Sequence, residues 1–232
     1  MSRTLAESRR EAYFSASPSG VRVVKSREPI LNVPAVVLVL LVLIGLVHAA
    51  RVYVLTDETD RALIWTIAFV PARYSAAMVN EGLLPGGFAA QVWTFVTYAF
   101  IHADITHLGV NAIWLLAFGS PVARRMGPAR FLAFFVVTVA GGALAHLVTH
   151  AAELSPMVGA SAAISGTMGA ATRFVFEHGG PLDMWRPADA DPDCVPAAPL
   201  RVALRNPRVL IFLGVWFGLN LLFGLEIGRA HV

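Results

Sequence analysis

Hydrophobic residues gather in five runs along the chain. They are Leu31 to Ala50, uncharged throughout; Ile101 to Val122, broken only by Asp104 near its start; Phe131 to Thr149; Met157 to Thr172, short and rich in Ala, Gly and Ser; and Val209 to Leu225. A helix needs about 20 predominantly apolar residues to cross a bilayer, with a range of roughly 17–25. The fourth run falls short of that length. It fits a short helix that starts within the membrane and is fed by a loop buried in protein. The pattern predicts an all-α polytopic membrane protein. Of the connecting segments, Arg51 to Gln91 carries both charge signs, the apolar stretch Ala62 to Pro71 and a turn-rich stretch from Gly82 to Gly87, and predicts an amphipathic, partly membrane-embedded hairpin. Asp183 to Pro199 is rich in Pro and Asp and reads as a flexible cytoplasmic loop. The sequence shows no internal repeat.

Composition agrees with this reading. Of 232 residues, 56% are hydrophobic and 14% charged, where a soluble domain carries about a quarter charged residues. The net charge of +3 is no nucleic-acid signal, because the cations are almost all arginine and cluster between the apolar runs. They precede the first run (Arg3, Arg9, Arg10, Arg22, Lys25, Arg27), separate the second from the third (Arg124, Arg125, Arg130), and separate the fourth from the fifth (Arg173, Arg186, Arg201, Arg205, Arg208). The segment Ala151 to Pro156 has none. The positive-inside rule then places the N-terminus in the cytoplasm and alternates consistently through all five runs. Residues 1–30 form a basic cytoplasmic tail rather than a signal peptide, and contact with anionic lipid is its simplest use. Residues 31–226 form the membrane domain. The single cysteine, Cys194, allows no disulfide framework or metal spacing and reads as a free thiol in a loop.

Two polar motifs interrupt the apolar pattern: His102-Ala-Asp-Ile-Thr-His107-Leu-Gly-Val-Asn111, and Gly159-Ala-Ser161-Ala-Ala-Ile-Ser165-Gly166. Polar side chains at bilayer depth are costly and mark functional sites by default. The predicted topology brings both motifs to the outer leaflet. His107 and Asn111, four apart, share one helix face. Two donors converging there suit an oxyanion, each worth roughly 3 kcal/mol in a transition state; they equally suit a polar pair joining two helices. Ser161 opens the fourth helix, where it reads either as an N-cap or as a nucleophile, with Gly159 allowing close backbone approach and the helix-start N–H groups facing developing negative charge. Ala162, Gly166 and Ala170 make a small-residue face that admits a very close neighbour. A serine nucleophile needs a base, usually histidine. His102 reads as orienting the loop, His146 and His150 as packing or hydrogen-bonding residues at the end of the third run, His48 as interfacial, and His178 as lying on the opposite side of the membrane.

These residues resemble the rhomboid family of intramembrane serine proteases. The resemblance rests on His102-(x4)-His107-(x3)-Asn111, on Gly159-Ala-Ser161, on Trp93 nine residues before His102, and on Ala68-Phe-Val-Pro71-Ala-Arg73. It implies a rhomboid-like helical bundle with five of six core transmembrane helices present in this chain. It implies an enzyme, a serine endopeptidase that cleaves transmembrane protein substrates near the outer face of a bacterial inner membrane, without metal or cofactor. Ser161 would be the nucleophile. His107, Asn111 and the Ser161 backbone N–H would form the oxyanion hole, supported by His102 and Gly159. The resemblance does not fix the oligomeric state or the substrates.

The sequence departs from the family pattern at four places. Thr94 stands where arginine is common, Ala162 where glycine is usual, and Ser165 where some members have tyrosine. The fourth concerns the base, which the resemblance places as an Ala-His pair on a sixth helix. His231 follows an alanine but lacks that helix, and Ile227-Gly-Arg-Ala-His-Val232 resembles a translated sequencing adapter. Residues 227–232 are therefore expected to be non-native and the base to lie beyond Leu225. The chain ending at Val232 is expected to have little or no proteolytic activity, and the small-residue face of the fourth helix to lack a partner and meet lipid. Two other classes compete: a non-catalytic rhomboid-like binder of transmembrane clients, and a small transporter or channel. The latter predicts intramembrane charges or inverted repeats, which the sequence lacks.

Overall fold

The computed structural model describes residues 33–82, 84–182 and 195–229, with 79–81 and 219–229 described by backbone alone. The tail 1–30, Cys194, most of the Asp183 to Pro199 segment and His231 lie outside the described residues. The chain is helical. Helix α1 (Ala35–Tyr53) is followed by α2 (Asp57–Ile67), a 3-10 turn at Pro71–Tyr74, α3 (Ala76–Glu81) and α4 (Gly87–Thr97). Then come α5 (Ile105–Met126), α6 (Pro128–Thr149), α7 (Ser161–Ala171), α8 (Leu200–Ala203) and α9 (Pro207–Arg229). No strand occurs among the described residues; one antiparallel bridge joins Phe69 to Met157.

Local chemistry sets the helix ends. The Thr56 hydroxyl accepts from Thr59 N, and Asp57, Glu58 and Asp60 crowd the first turn of α2, where carboxylates complement the helix dipole. Asp104 caps α5 by accepting from His107 N at 2.8 Å. Within α5, Leu115–Gly119 winds as a π-helix. Proline opens α6 and α9, where its missing N–H costs nothing.

Three helices, α1, α5 and α6, are long and apolar enough to cross a membrane among the described residues, and α9 contributes the shorter apolar stretch Pro207–Gly218. At 11 residues, α7 extends only about 16 Å, the short helix that the fourth run predicts. Outward faces of the long helices carry exposed Leu38, Val39, Val42, Leu46, Val136, Val137, Leu144 and Val148. Such a belt on helices of spanning length fits contact with lipid. Helix α4 is absent from the sequence reading, its 11 residues being too few to register as a run.

The core lies where α6 meets α7. Phe131, Phe135, Val139 and Ala143 recur every four residues on α6 and are all buried, as are Ala163, Ile164, Met168 and Ala171 on α7. A Cβ at Gly142 would come within 2.5 Å of the Ala162 Cβ, and one at Gly166 would strike the Thr138 side chain. The expectation that the small-residue face lacks a partner is thus corrected: α6 occupies it through Ala162 and Gly166. Farther along α5, Trp114 stacks on Phe118, and both meet Trp216 of α9 at centroid distances of 5.1 and 6.0 Å. The end of the Pro-rich segment is tied down as well. Ala198 N donates to Arg173 O at 2.7 Å, Arg173 Nε donates to Ala198 O at 2.8 Å, and Arg125 Nη1 donates to Val195 O.

Candidate active site

Four segments converge at one end of the bundle: the C-terminal end of α1, the start of α5, the segment 68–74, and the loop 150–160 that leads into α7. Arg51 organises the first two. Its guanidinium forms a bidentate pair with Asp60 at 2.7 and 3.0 Å, and Nη1 donates to His102 O at 2.7 Å. The forked geometry of arginine suits this double duty. His102 is fully buried, with no hydrogen-bond partner on either ring nitrogen among the described residues. Its ring meets that of His107 edge-on, with centroids 5.2 Å apart. His48 is also buried.

His107 and Asn111 lie one turn apart on α5. Asn111 is buried and donates from Nδ2 to His107 O at 2.9 Å, which leaves its second N–H for another acceptor. Facing them is Gly159, held at φ +107°, a conformation that L side chains rarely adopt. A Cβ there would come within 2.7 Å of His107 Cε1 and Nε2 and 3.8 Å of Asn111 Nδ2. Glycine is therefore required twice, by backbone conformation and by contact with His107. Two residues on, Ser161 is the first residue of α7 and half-buried. The N-cap position belongs to Ala160, with no side-chain cap bond, so Ser161 does not spend its hydroxyl on capping. The first N–H groups of a helix have no intrahelical partner.

The loop carrying Gly159 is held at three points. Ala72 N donates to Glu153 O at 2.9 Å, Phe69 and Met157 exchange bonds of 3.2 and 2.8 Å, and Gly159 N donates to Tyr98 O at 3.0 Å. The Tyr98 hydroxyl donates in turn to Val139 O at 2.9 Å, and burial pushes its phenol above the ordinary range. Arg73 is buried beneath this layer, donating to Pro85 O at 2.6 Å and to Trp65 O. Loss of hydration lowers its pKa. Trp93 donates to Thr66 O at 3.0 Å, and Thr94 is buried with its hydroxyl on Ala90 O at 2.5 Å.

The structure brings His102, His107, Asn111, Gly159 and Ser161 to one place. It adds Arg51, Asp60 and Tyr98, which sequence reasoning missed. An arginine closing an uncharged run was the available signal for Arg51. His146 and His150 stack on each other at 4.4 Å at the end of α6, in keeping with a packing and hydrogen-bonding reading.

A match to the rhomboid domain family covers residues 89–230, more than half of the chain. The chain belongs to the rhomboid family. Among curated relatives, it is 40% identical over 75 residues to "Rhomboid-related protein 3" of Homo sapiens, covering 32% of this chain and 18% of that protein. It is 28% identical over 100 residues to "Rhomboid protein 1, mitochondrial" of Saccharomyces cerevisiae, covering 41% and 29%. With "Rhomboid protease GlpG" of an Enterobacter species it shares 26% identity over 151 residues, covering 64% and 47%. In these three alignments this rhomboid spans between 18% and 47% of the relative's length. Family and apolar helices together make it a helical integral membrane protein.

Proposed function

We propose that the whole protein is an intramembrane serine endopeptidase that cuts transmembrane substrates, with Ser161 as nucleophile. The observation that carries this reading is the approach of His107 to Gly159, so close that a side chain there has no room, two residues before a serine whose hydroxyl has no capping role. Ser161 Oγ attacks the scissile carbonyl while a base takes its proton. His107, Asn111 and the Ser161 N–H donate to the resulting oxyanion. Collapse expels the amine as an acyl-enzyme forms, and water releases the acid. His102 and Arg51 position the start of α5. The base is a histidine on a helix following α9, as the family resemblance implies. The N-terminus is cytoplasmic, residues 1–30 are a tail, 31–226 make up the membrane domain, and cleavage occurs near the outer face of a bacterial inner membrane.

The test is cleavage of a transmembrane substrate by the whole protein in proteoliposomes, alongside labelling by a fluorophosphonate probe. Ser161→Ala abolishes both on this reading. Clients captured by the wild type without cleavage, and labelling that Ser161→Ala leaves unchanged, would instead make this rhomboid a binder.

A further inference from the structure

We propose that His146, His150 and Glu153 bind a single divalent transition-metal ion of the zinc class, fastening the end of α6 to the loop that enters α7. One ligand atom from each residue lies within 4.8 Å of the other two. Three local features bring them together. His146 and His150 are one turn apart at the C-terminal end of α6. The chain then reverses through Ala152, at φ +66° a left-handed conformation that alanine rarely adopts. Glu153 N donates back to His150 O at 3.1 Å, which places the carboxylate beside the imidazoles.

Proton bookkeeping prepares one ring for coordination. The Thr149 hydroxyl donates to Ala145 O at 2.8 Å. With that proton on Ala145 O, the 2.7 Å contact with His150 Nδ1 is satisfied in the tautomer that carries its proton on Nδ1. In that tautomer the Nε2 lone pair of His150 is free to coordinate. A hydrogen bond that fixes the ring tautomer from behind is the usual support of a metal-bound histidine. Two imidazoles and a carboxylate select zinc over calcium or magnesium, which prefer all-oxygen sets. Bonds of about 2.0–2.1 Å put tetrahedral donors roughly 3.3 Å apart. Side-chain rotation of His150 and Glu153, both exposed, closes the remaining gap, and water takes the fourth position.

The ion would brace a defined strap. The Glu153 carbonyl already holds Ala72, Met157 pairs with Phe69, and Gly159 holds Tyr98. His146 also packs against Phe69, with centroids 6.5 Å apart. Metal at this point therefore ties α6, the segment 69–72 and the approach to Ser161 into one unit. The binding claim does not depend on the protease reading.

The experiment is zinc titration of the detergent-solubilised full chain, purified without a polyhistidine tag, by calorimetry and by thermal unfolding. Cobalt(II) absorption serves as the coordination readout. We expect one equivalent bound with micromolar or tighter affinity, a raised Tm, and a tetrahedral cobalt spectrum. His150→Ala and Glu153→Gln, both at exposed positions, should each weaken binding about tenfold or more while the metal-free Tm stays unchanged. Ser161→Ala should bind as the wild type does, so loss of protease activity and loss of metal binding are read separately. Absence of saturable binding, or wild-type affinity in the His150→Ala and Glu153→Gln double variant, overturns the proposal.

Discussion

Helix α7 carries two stripes of small residues that lie side by side and meet different surroundings. Ala162 and Gly166 press against Gly142 and Thr138 of α6 so closely that an added methyl group has no room. Ser161, Ser165 and Gly169 occupy the neighbouring stripe. There Ser165 is exposed, and a Cβ at Gly169 would meet no atom within 4 Å. The close-packing stripe fixes where α7 sits, and the adjacent one presents its hydroxyls. Small residues recur in both, yet only in the first is their size enforced by a neighbour.

Substitutions can break this contrast. The largest effect is expected at Ser161 in the whole protein: Ser161→Ala should lower kcat for a transmembrane substrate by about 10⁴-fold or more, with Tm unchanged. A Tm loss instead would make the serine a packing residue like its neighbours. Asn111→Ala should lower kcat about 10²–10³-fold, again without unfolding the bundle. On the close-packing stripe, Gly166→Leu should destabilise by roughly 1–3 kcal/mol, read as a lowered unfolding midpoint in detergent. Gly169→Ala should have the opposite sign, a gain of up to about 1 kcal/mol, because alanine favours the helix and nothing blocks it. Equal losses at 166 and 169 would erase the distinction between the stripes.

Much of this was legible in the sequence because a bilayer simplifies the code. Long uncharged runs become α1, α5 and α6, and the shortfall of the fourth run becomes the 11-residue α7. His107, Asn111, Gly159 and Ser161 stand out because polar groups need a reason in apolar surroundings. Harder to read were contacts that depend on three-dimensional placement. The Arg51–Asp60 pair reaches across a helix boundary, and nothing in the sequence says that these two charges are partners. The stripe at 162 and 166 announces a close neighbour without saying which. The sequence leaves it facing lipid, whereas α6 fills it. The π-helical turn within α5 left no trace either, since Leu115 to Gly119 continue an unbroken apolar run.

That turn acts as a counting device. An extra residue per turn offsets the two halves of α5 by about 100°, so Ser120 to Met126 point in directions that a regular helix continuing from Trp114 would not give them. Deleting one residue between Leu115 and Gly119 would still leave an uninterrupted apolar helix, and hydropathy would register nothing amiss. The buried Pro121, Val122 and Ala123 that follow would then be turned about 100° away from their present directions relative to His107. For this segment, length is a specification as strict as residue identity.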